Sequence, residues 1–291
     1  MGHALLVPAA ERTSMPRPDS PRIHPTAIVS DEARIADDAV VGPYTVIDGP
    51  VTIGPGCRIG PHVHLIGSLA MGQGNVVHAG CVLGDAPQHL GYKYEPTSTT
   101  IGDFNTFREC VTVHRGMPTT TKPGTGITII GNNNFFMASS HIAHDCRVGN
   151  NVILANGAVV GGHGELGDRC MLSGNTAVHQ FCRVGRLAMI GGTTAITQDL
   201  PPFWMVQDGI NRVRSVNLVG VRRAGIPVDQ IQAIRKAFRL INRTELTITA
   251  ALEQIEAEYG TVPVIREQID FIRSSKRGVC TMRSRPGDDD E

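Results

Sequence analysis

The sequence predicts an all-β parallel β-helix wound from six-residue repeats across residues 21–203, followed by a small α-helical C-terminal domain across 204–291. Three observations predict it. An apolar residue recurs at every sixth position, glycine follows many of these residues, and after Pro201-Pro202 the six-residue period gives way to helical spacing.

The period runs without a break from Ile23 through Val29, Ile35 and Val41 to Leu83. It resumes at Ile101, Phe107 and Val113, slips by one residue, and continues from Ile130 through Ile142 and Val160 to Ile196. All 26 stops are apolar, which a chain that is 41% hydrophobic does not produce by chance. Three hexads close one turn of eighteen residues, a prism with three flat sides whose successive turns pair as parallel strands about 4.8 Å apart. Glycine directly after the stop, as at Gly42, Gly54, Gly131 and Gly161, is read as the corner-maker, because a residue without Cβ turns tightly. High glycine (33 residues) and low aromatic content (4%) suit such a narrow interior.

The phase also places the cysteines. Cys57, Cys81, Cys146, Cys170 and Cys182 each stand four residues after a stop, a second inward position. They are expected to be small, reduced core residues. Cys110 and Cys280 are off that register and unpaired, and the absence of a CxxC pair argues against a zinc ribbon.

Two segments interrupt the period. Residues 85–100 replace two hexads, and residues 114–126 break the phase; loops expelled from a solenoid tend to shape a binding face. Beyond the repeats, Ile231, Ile234, Phe238 and Ile241 form an apolar helical stripe beside a basic one of Arg235, Arg239 and Arg243. Further helices are expected over Ala250–Tyr259 and Val264–Arg273. Residues 1–20 read as a flexible leader without the basic start of a secretory signal, and the acidic C-terminal tail as disordered. Zero formal net charge removes a whole-molecule case for nucleic acid, and no apolar run is long enough to span a bilayer, so a cytoplasmic location is expected.

Four histidines gather in the later repeats: His141, His144, His163 and His179. None occupies an inward position. His144 and His163 lie one turn plus one residue apart, on adjacent rungs, with Asp145 next in sequence to orient a ring. By themselves they suit surface or interface positions satisfied by hydrogen bonds. A sharper rival is a metal site, since His141-x-x-His144 plus one more histidine could supply three imidazoles, as in the γ-class carbonic anhydrases built on this solenoid.

The motifs around them occur in one order: His114-Arg115-Gly116, His141-Ile142-Ala143-His144-Asp145-Cys146, Leu154-Ala155-Asn156, Gly162-His163, Ala177-Val178-His179-Gln180-Phe181, Gln198-Asp199-Leu200-Pro201-Pro202, Asn217-Leu218 and Gly220-Val221-Arg222-Arg223. From about residue 22 to 280 the chain strongly resembles the acyl-[acyl-carrier-protein]–UDP-N-acetylglucosamine O-acyltransferase family, which catalyses the first step of lipid A biosynthesis. The resemblance implies a left-handed coil and a homotrimer with its site between subunits. It implies His144 as general base on the glucosamine 3-hydroxyl, Asp145 as its orienting partner, and the Gly162 amide facing the developing oxyanion. Gln88, Lys93, His141, His163, His179 and Gln180 would line the sugar and pantetheine cleft, and Asn217 and Arg223 would contact the nucleotide. Met189 and Gly192 fall where the family measures the acyl chain, and glycine there implies a longer 3-hydroxyacyl group. Neither a metal nor a cofactor is implied, the donor being carried on the phosphopantetheine of acyl carrier protein, with Arg235, Arg239 and Arg243 as its docking surface. The chain departs from the family pattern where His89 and Gly91 replace an Asp-x-Lys pair, with Lys93 two residues further on, and at Val219 and Ala224. A 3-amino sugar nucleotide is therefore an alternative acceptor, and a metal-dependent hydratase on the same solenoid an alternative enzyme.

Overall fold

The computed structural model describes residues 21–282; the expected leader and the acidic tail lie outside the described residues. The coil is left-handed, with three sheets of nine, eight and ten strands as its sides, all parallel except for the last strand of the ten. Register repeats at eighteen residues, as in Val46 beside His64 and His141 beside Val159. Stops from Val41 onward point inward and are buried, and the Phe107 and Phe136 rings pack at 5.1 Å, tilted 43° to one another. Cys57, Cys81, Cys146, Cys170 and Cys182 are all fully buried and free, as the phase requires. The stacked asparagines bond along the coil: Asn105 donates to Asn75 at 3.0 Å, and the Asn105 side chain accepts the Asn134 amide at 2.9 Å.

The corners differ from expectation. The left-handed backbone falls three residues after the stop, on Asn133, Ser139, Asp145, Asn151, His163, Arg169, Asn175, Phe181, Leu187 and Thr193, each with φ between 54° and 64°. The glycine directly after the stop mostly has ordinary φ and serves another purpose. A Cβ on Gly54 would lie 2.6 Å from the Gly72 carbonyl carbon, and one on Gly131 2.6 Å from the Gly149 oxygen. These glycines let neighbouring turns approach to hydrogen-bonding distance. Gly54→Ala is thus expected to destabilise the coil by roughly 1–3 kcal/mol through overpacking, read as a lowered melting temperature.

The first interruption does not replace sides of the prism. Thr99 pairs with Leu69, so the chain leaves one sheet at Asp85 and enters the next at Ser98 with the extra residues expelled. The second does the same between His114 and Ile127. Both excursions leave the same edge of the prism on successive turns.

Past residue 203 the coil continues briefly: strand Trp204–Val206 pairs in parallel with Met189–Ile190, and Val213–Val216 returns antiparallel to it. Four helices follow, α1 (Leu218–Arg223), α2 (Val228–Asn242), α3 (Ile248–Tyr259) and α4 (Pro263–Arg273). α1 escaped the periodicity because it is only six residues long; Asn217 caps it by accepting the Gly220 amide. α2 buries Ile231, Ile234, Phe238 and Ile241 as its stripe predicts, with Phe238 edge-on to Trp204. The final segment returns to the end of the coil, where Val279 bridges Asp199, which is why Cys280 is buried despite standing outside the repeat. Among the described residues no helix is long and apolar enough to cross a membrane.

Candidate active site

Both excursions and the histidines meet at one prism edge. Asp145, His163 and Phe181 hold the same corner position on three successive turns. The His163 ring therefore stacks on Phe181 at 4.5 Å and 10°, and its Nε2 lies 3.6 Å from Asp145 Oδ2. His144, one residue earlier in its turn, reaches Asp145 through Nδ1 at 2.7 Å and meets the His163 ring edge-on at 5.3 Å.

Asp145 is buried and accepts from every side. Oδ2 takes the Met117 amide at 3.0 Å and His144 Nδ1 at 2.7 Å; Oδ1 takes the Thr125 amide and hydroxyl, each at 2.6 Å. Burial alone would raise its pKa, but the hydrogen bonds from His144, Thr125 and Met117 outweigh it and hold the carboxyl at about 2. An ionised carboxylate has no proton to give, so His144 Nδ1 carries one and Nε2 presents a lone pair. That is the tautomer a general base needs. The second excursion thus exists to supply donors: its two ends, Met117 and Thr125, grip the carboxylate that orients His144.

Gly162 is required by the base. A Cβ there would lie 2.7 Å from His144 Cε1 and Nε2, so only glycine lets the ring settle against the next turn. His141 bonds Thr112 Oγ1 at 2.7 Å and meets the buried His114 ring edge-on at 4.7 Å. Burial, then the neighbouring histidines, lowers the His141 pKa to about 4, and burial likewise lowers His114 and His163. These rings act as neutral polar walls at neutral pH. Cys146 is pushed up to about 12 by burial and its Sγ faces the Gly161 carbonyl, so no thiolate is available beside the base.

The remaining sequence candidates are distributed around this edge and beyond it. Gln180 and His179 are exposed, and Arg277 from the returning C-terminal segment lies 3.2 Å from His179 Nδ1. Gln88 and Lys93 stand exposed on the first excursion. Asn217 has both halves of its amide engaged, Oδ1 with Gly220 and Nδ2 with the Leu187 carbonyl, whereas Arg223 is free to solvent at the end of α1. Met189 lies on an outer face in register with Met171 and Met205, and a Cβ on Gly192 would meet nothing nearer than the Gly174 oxygen at 3.6 Å. Arg235, Arg239 and Arg243 are exposed along α2. Thr125, Met117 and Arg277 carry no signal in the sequence, since they belong to loops or termini without period, and His89 is marked there only as a departure from the family pattern.

His144, Asp145 and His163 offer donor atoms within 4.8 Å of one another, the only such group of metal-ligating side chains among the described residues. The chemistry does not favour an ion there. The carboxylate's lone pairs are taken by four donors, one of them the very nitrogen of His144 nearest to it. Two imidazoles remain, not the three of the hydratase alternative.

Residues 199–280 match the family model for UDP-N-acetylglucosamine O-acyltransferase, domain 2, and residues 32–67 and 127–162 match the bacterial transferase hexapeptide model. The chain is 43% identical over 258 residues to the acyl-[acyl-carrier-protein]–UDP-N-acetylglucosamine O-acyltransferase of Thermodesulfovibrio yellowstonii, covering 89% of this chain and 98% of that one. Its counterpart from Saccharophagus degradans is 46% identical over 257 residues, covering 88% and 98%. Among solved structures, the UDP-N-acetylglucosamine acyltransferase of Francisella novicida superposes with a TM-score of 0.85 at 33% identity, covering 92% of this chain and 95% of that one. The Moraxella catarrhalis UDP-N-acetylglucosamine O-acyltransferase gives 0.84 at 37% identity, covering 89% and 100%.

Proposed function

The chain belongs to the acyl-[acyl-carrier-protein]–UDP-N-acetylglucosamine O-acyltransferase family, and from that premise we propose that His144 carries out its transfer reaction as general base. The enzyme moves a 3-hydroxyacyl chain from acyl carrier protein to the 3-hydroxyl of UDP-N-acetylglucosamine, the first step of lipid A biosynthesis, and works in the cytoplasm. Family membership displaces the hydratase reading. The observation that carries the role of His144 is the Asp145–His144 couple seated against Gly162: Nδ1 is tied down, and Nε2 is left with a lone pair.

In the reaction, Nε2 takes the proton of the sugar hydroxyl as its oxygen attacks the thioester carbonyl. The Gly162 amide faces the oxyanion, and the same histidine returns the proton to the departing pantetheine thiolate. No metal enters. His141, His163, His179, Gln180, Gln88 and Lys93 line the cleft, with Asn217 and Arg223 toward the nucleotide. The half-buried outer ladder of Ile153, Met171, Met189 and Met205 supports a homotrimer in which a second subunit closes the site.

Direct assay tests this reading: purified protein is given hydroxyacyl carrier protein and UDP-N-acetylglucosamine, with the 3-amino analogue beside it. Transfer to the hydroxyl acceptor is expected; transfer to the amine alone would replace the ester with an amide product. Because Gly192 leaves space beyond Met189, a ladder of acyl lengths is expected to favour chains longer than ten carbons. Clear preference for a ten-carbon chain would sink the ruler assignment. Reversing Arg235, Arg239 and Arg243 to glutamate should raise the KM for carrier protein about ten-fold or more at low salt, and less at high salt. An unchanged KM rejects α2 as the docking surface.

A further inference from the structure

His89 stands where the family pattern has an acid and is given no role above, yet the structure brings it to the base. Its ring meets the His144 ring edge to face at 5.8 Å and 85°. His163 meets the same ring at 5.3 Å and 90°, Asp145 holds Nδ1, and Gly162 lies against the ring atoms. His89 supplies the further wall, and it is the one that comes from an excursion rather than from the coil.

Short hydrogen bonds fix where that wall stands. The His89 amide donates to the Pro87 carbonyl at 2.8 Å, and the Tyr92 amide donates to the His89 carbonyl at 3.0 Å. The Gly91 amide donates to His89 Nδ1 at 3.0 Å, so Nδ1 is the acceptor nitrogen and the proton of the neutral ring sits on Nε2. The turn is in turn latched to the coil by Arg115. Its Nε donates to Tyr92 Oη at 2.9 Å, its Nη1 to the Gly84 carbonyl at 3.0 Å, and its guanidinium lies 5.4 Å from the Tyr92 ring centre. Tyr92 Oη donates onward to the Glu95 carbonyl at 2.7 Å. Leu90, beside His89, is fully exposed, so the turn is held by polar ties rather than by its own apolar packing.

We propose that His89 is a positioning residue for acyl transfer: locked by the Gly91 amide on a turn latched by Arg115, its ring confines the His144 imidazole and keeps Nε2 aimed at the acceptor. This rests on His144 being the base. Without His89 the ring keeps Asp145, His163 and Gly162 but is open on the side of the excursion, where it can swing about its bond to Asp145, and displacement by a fraction of the reacting distance lowers rate more than affinity.

The test compares His89→Ala with His89→Phe, which keeps a ring and loses both nitrogens, in the full-length enzyme with hydroxyacyl carrier protein and UDP-N-acetylglucosamine. His89→Ala should lower kcat about ten-fold with the sugar-nucleotide KM within about two-fold, and His89→Phe should recover kcat to within about three-fold of wild type. Crystal structures of the two variants should show His144 in a second rotamer in the alanine variant and in one rotamer in the phenylalanine variant. An unchanged kcat and a single His144 rotamer in His89→Ala would overturn the proposal. So would a loss confined to KM that phenylalanine fails to rescue, which would make His89 a sugar contact through Nε2. Wild-type protein that transfers nothing to UDP-N-acetylglucosamine would instead refute the reaction, and the rotamer comparison would still decide the role of His89.

Discussion

His144→Ala is expected to lower kcat by about a thousand-fold or more while leaving the fold intact. The magnitude follows from general base catalysis, which contributes about 10²- to 10⁴-fold when the base is correctly placed. Here two of the contacts that place it are direct: one nitrogen is held by an ionised carboxylate, and the ring rests against a glycine that has no side chain to displace it. Structural cost should be confined to the lost hydrogen bond to Asp145, which keeps its bonds from Met117 and Thr125. His144 is not part of the stacked interior, and its side chain keeps 13% of its surface exposed. The check is steady-state transfer beside thermal unfolding, with a melting temperature within a few degrees of wild type. A variant retaining more than about a tenth of wild-type kcat would remove His144 as the base.

Asp145→Asn should cost both activity and stability, because one buried carboxylate serves both. Its four acceptor sites all receive donors, from Met117, from Thr125 twice and from His144. An amide keeps one oxygen and turns an NH₂ group toward donors at the other, whichever way it is flipped. If the NH₂ faces His144, the imidazole proton moves to Nε2 and the base is lost, for an expected fall in kcat of about 10²-fold or more. If it faces Thr125, the second excursion loses its anchor. Either arrangement leaves buried donors unmatched, costing roughly 1–3 kcal/mol of stability.

The pH dependence has a definite sign. The folded-state pKa of Asp145 is depressed from 3.8 to about 2, so the unfolded chain binds its proton first as pH falls. The stabilisation, roughly 2 kcal/mol, is fully present above about pH 4 and is lost as pH drops through about 2. Wild type and Asp145→Asn should accordingly converge in stability over that acid range and stay apart above it. Denaturant unfolding at pH 6 and at the lowest pH where the fold persists would show it; a constant gap would mean that the carboxylate's ionisation contributes nothing to folding.

The reading of glycine shows where a one-dimensional pattern stops. The repeat marks glycine after the stop, and a corner is the natural use for it. The corner instead belongs to the position two residues later, which holds Asp145, His163, Phe181 and Leu187 in left-handed backbone. Aspartate tolerates that conformation, but nothing in the chemistry of His163, Phe181 or Leu187 announces it; the coil imposes it. The glycines answer a different demand, the close approach of turns eighteen residues apart, which is visible only once those turns are stacked.

By itself the sequence determined the solenoid, its eighteen-residue turn, the inward cysteines, the buried stripe of α2 and the histidines excluded from the interior. Each of these depends on which side of a short strand or helix a residue faces, and that is set by spacing within a few residues. Only the tertiary structure decided what the two excursions are for. Met117 and Thr125 reach Asp145 across 28 and 20 residues, Arg115 latches Tyr92 across 23, and His89 arrives at His144 from another turn altogether. Those contacts follow no period, because expelled loops answer to the three-dimensional surface they fold back on and not to the register they left.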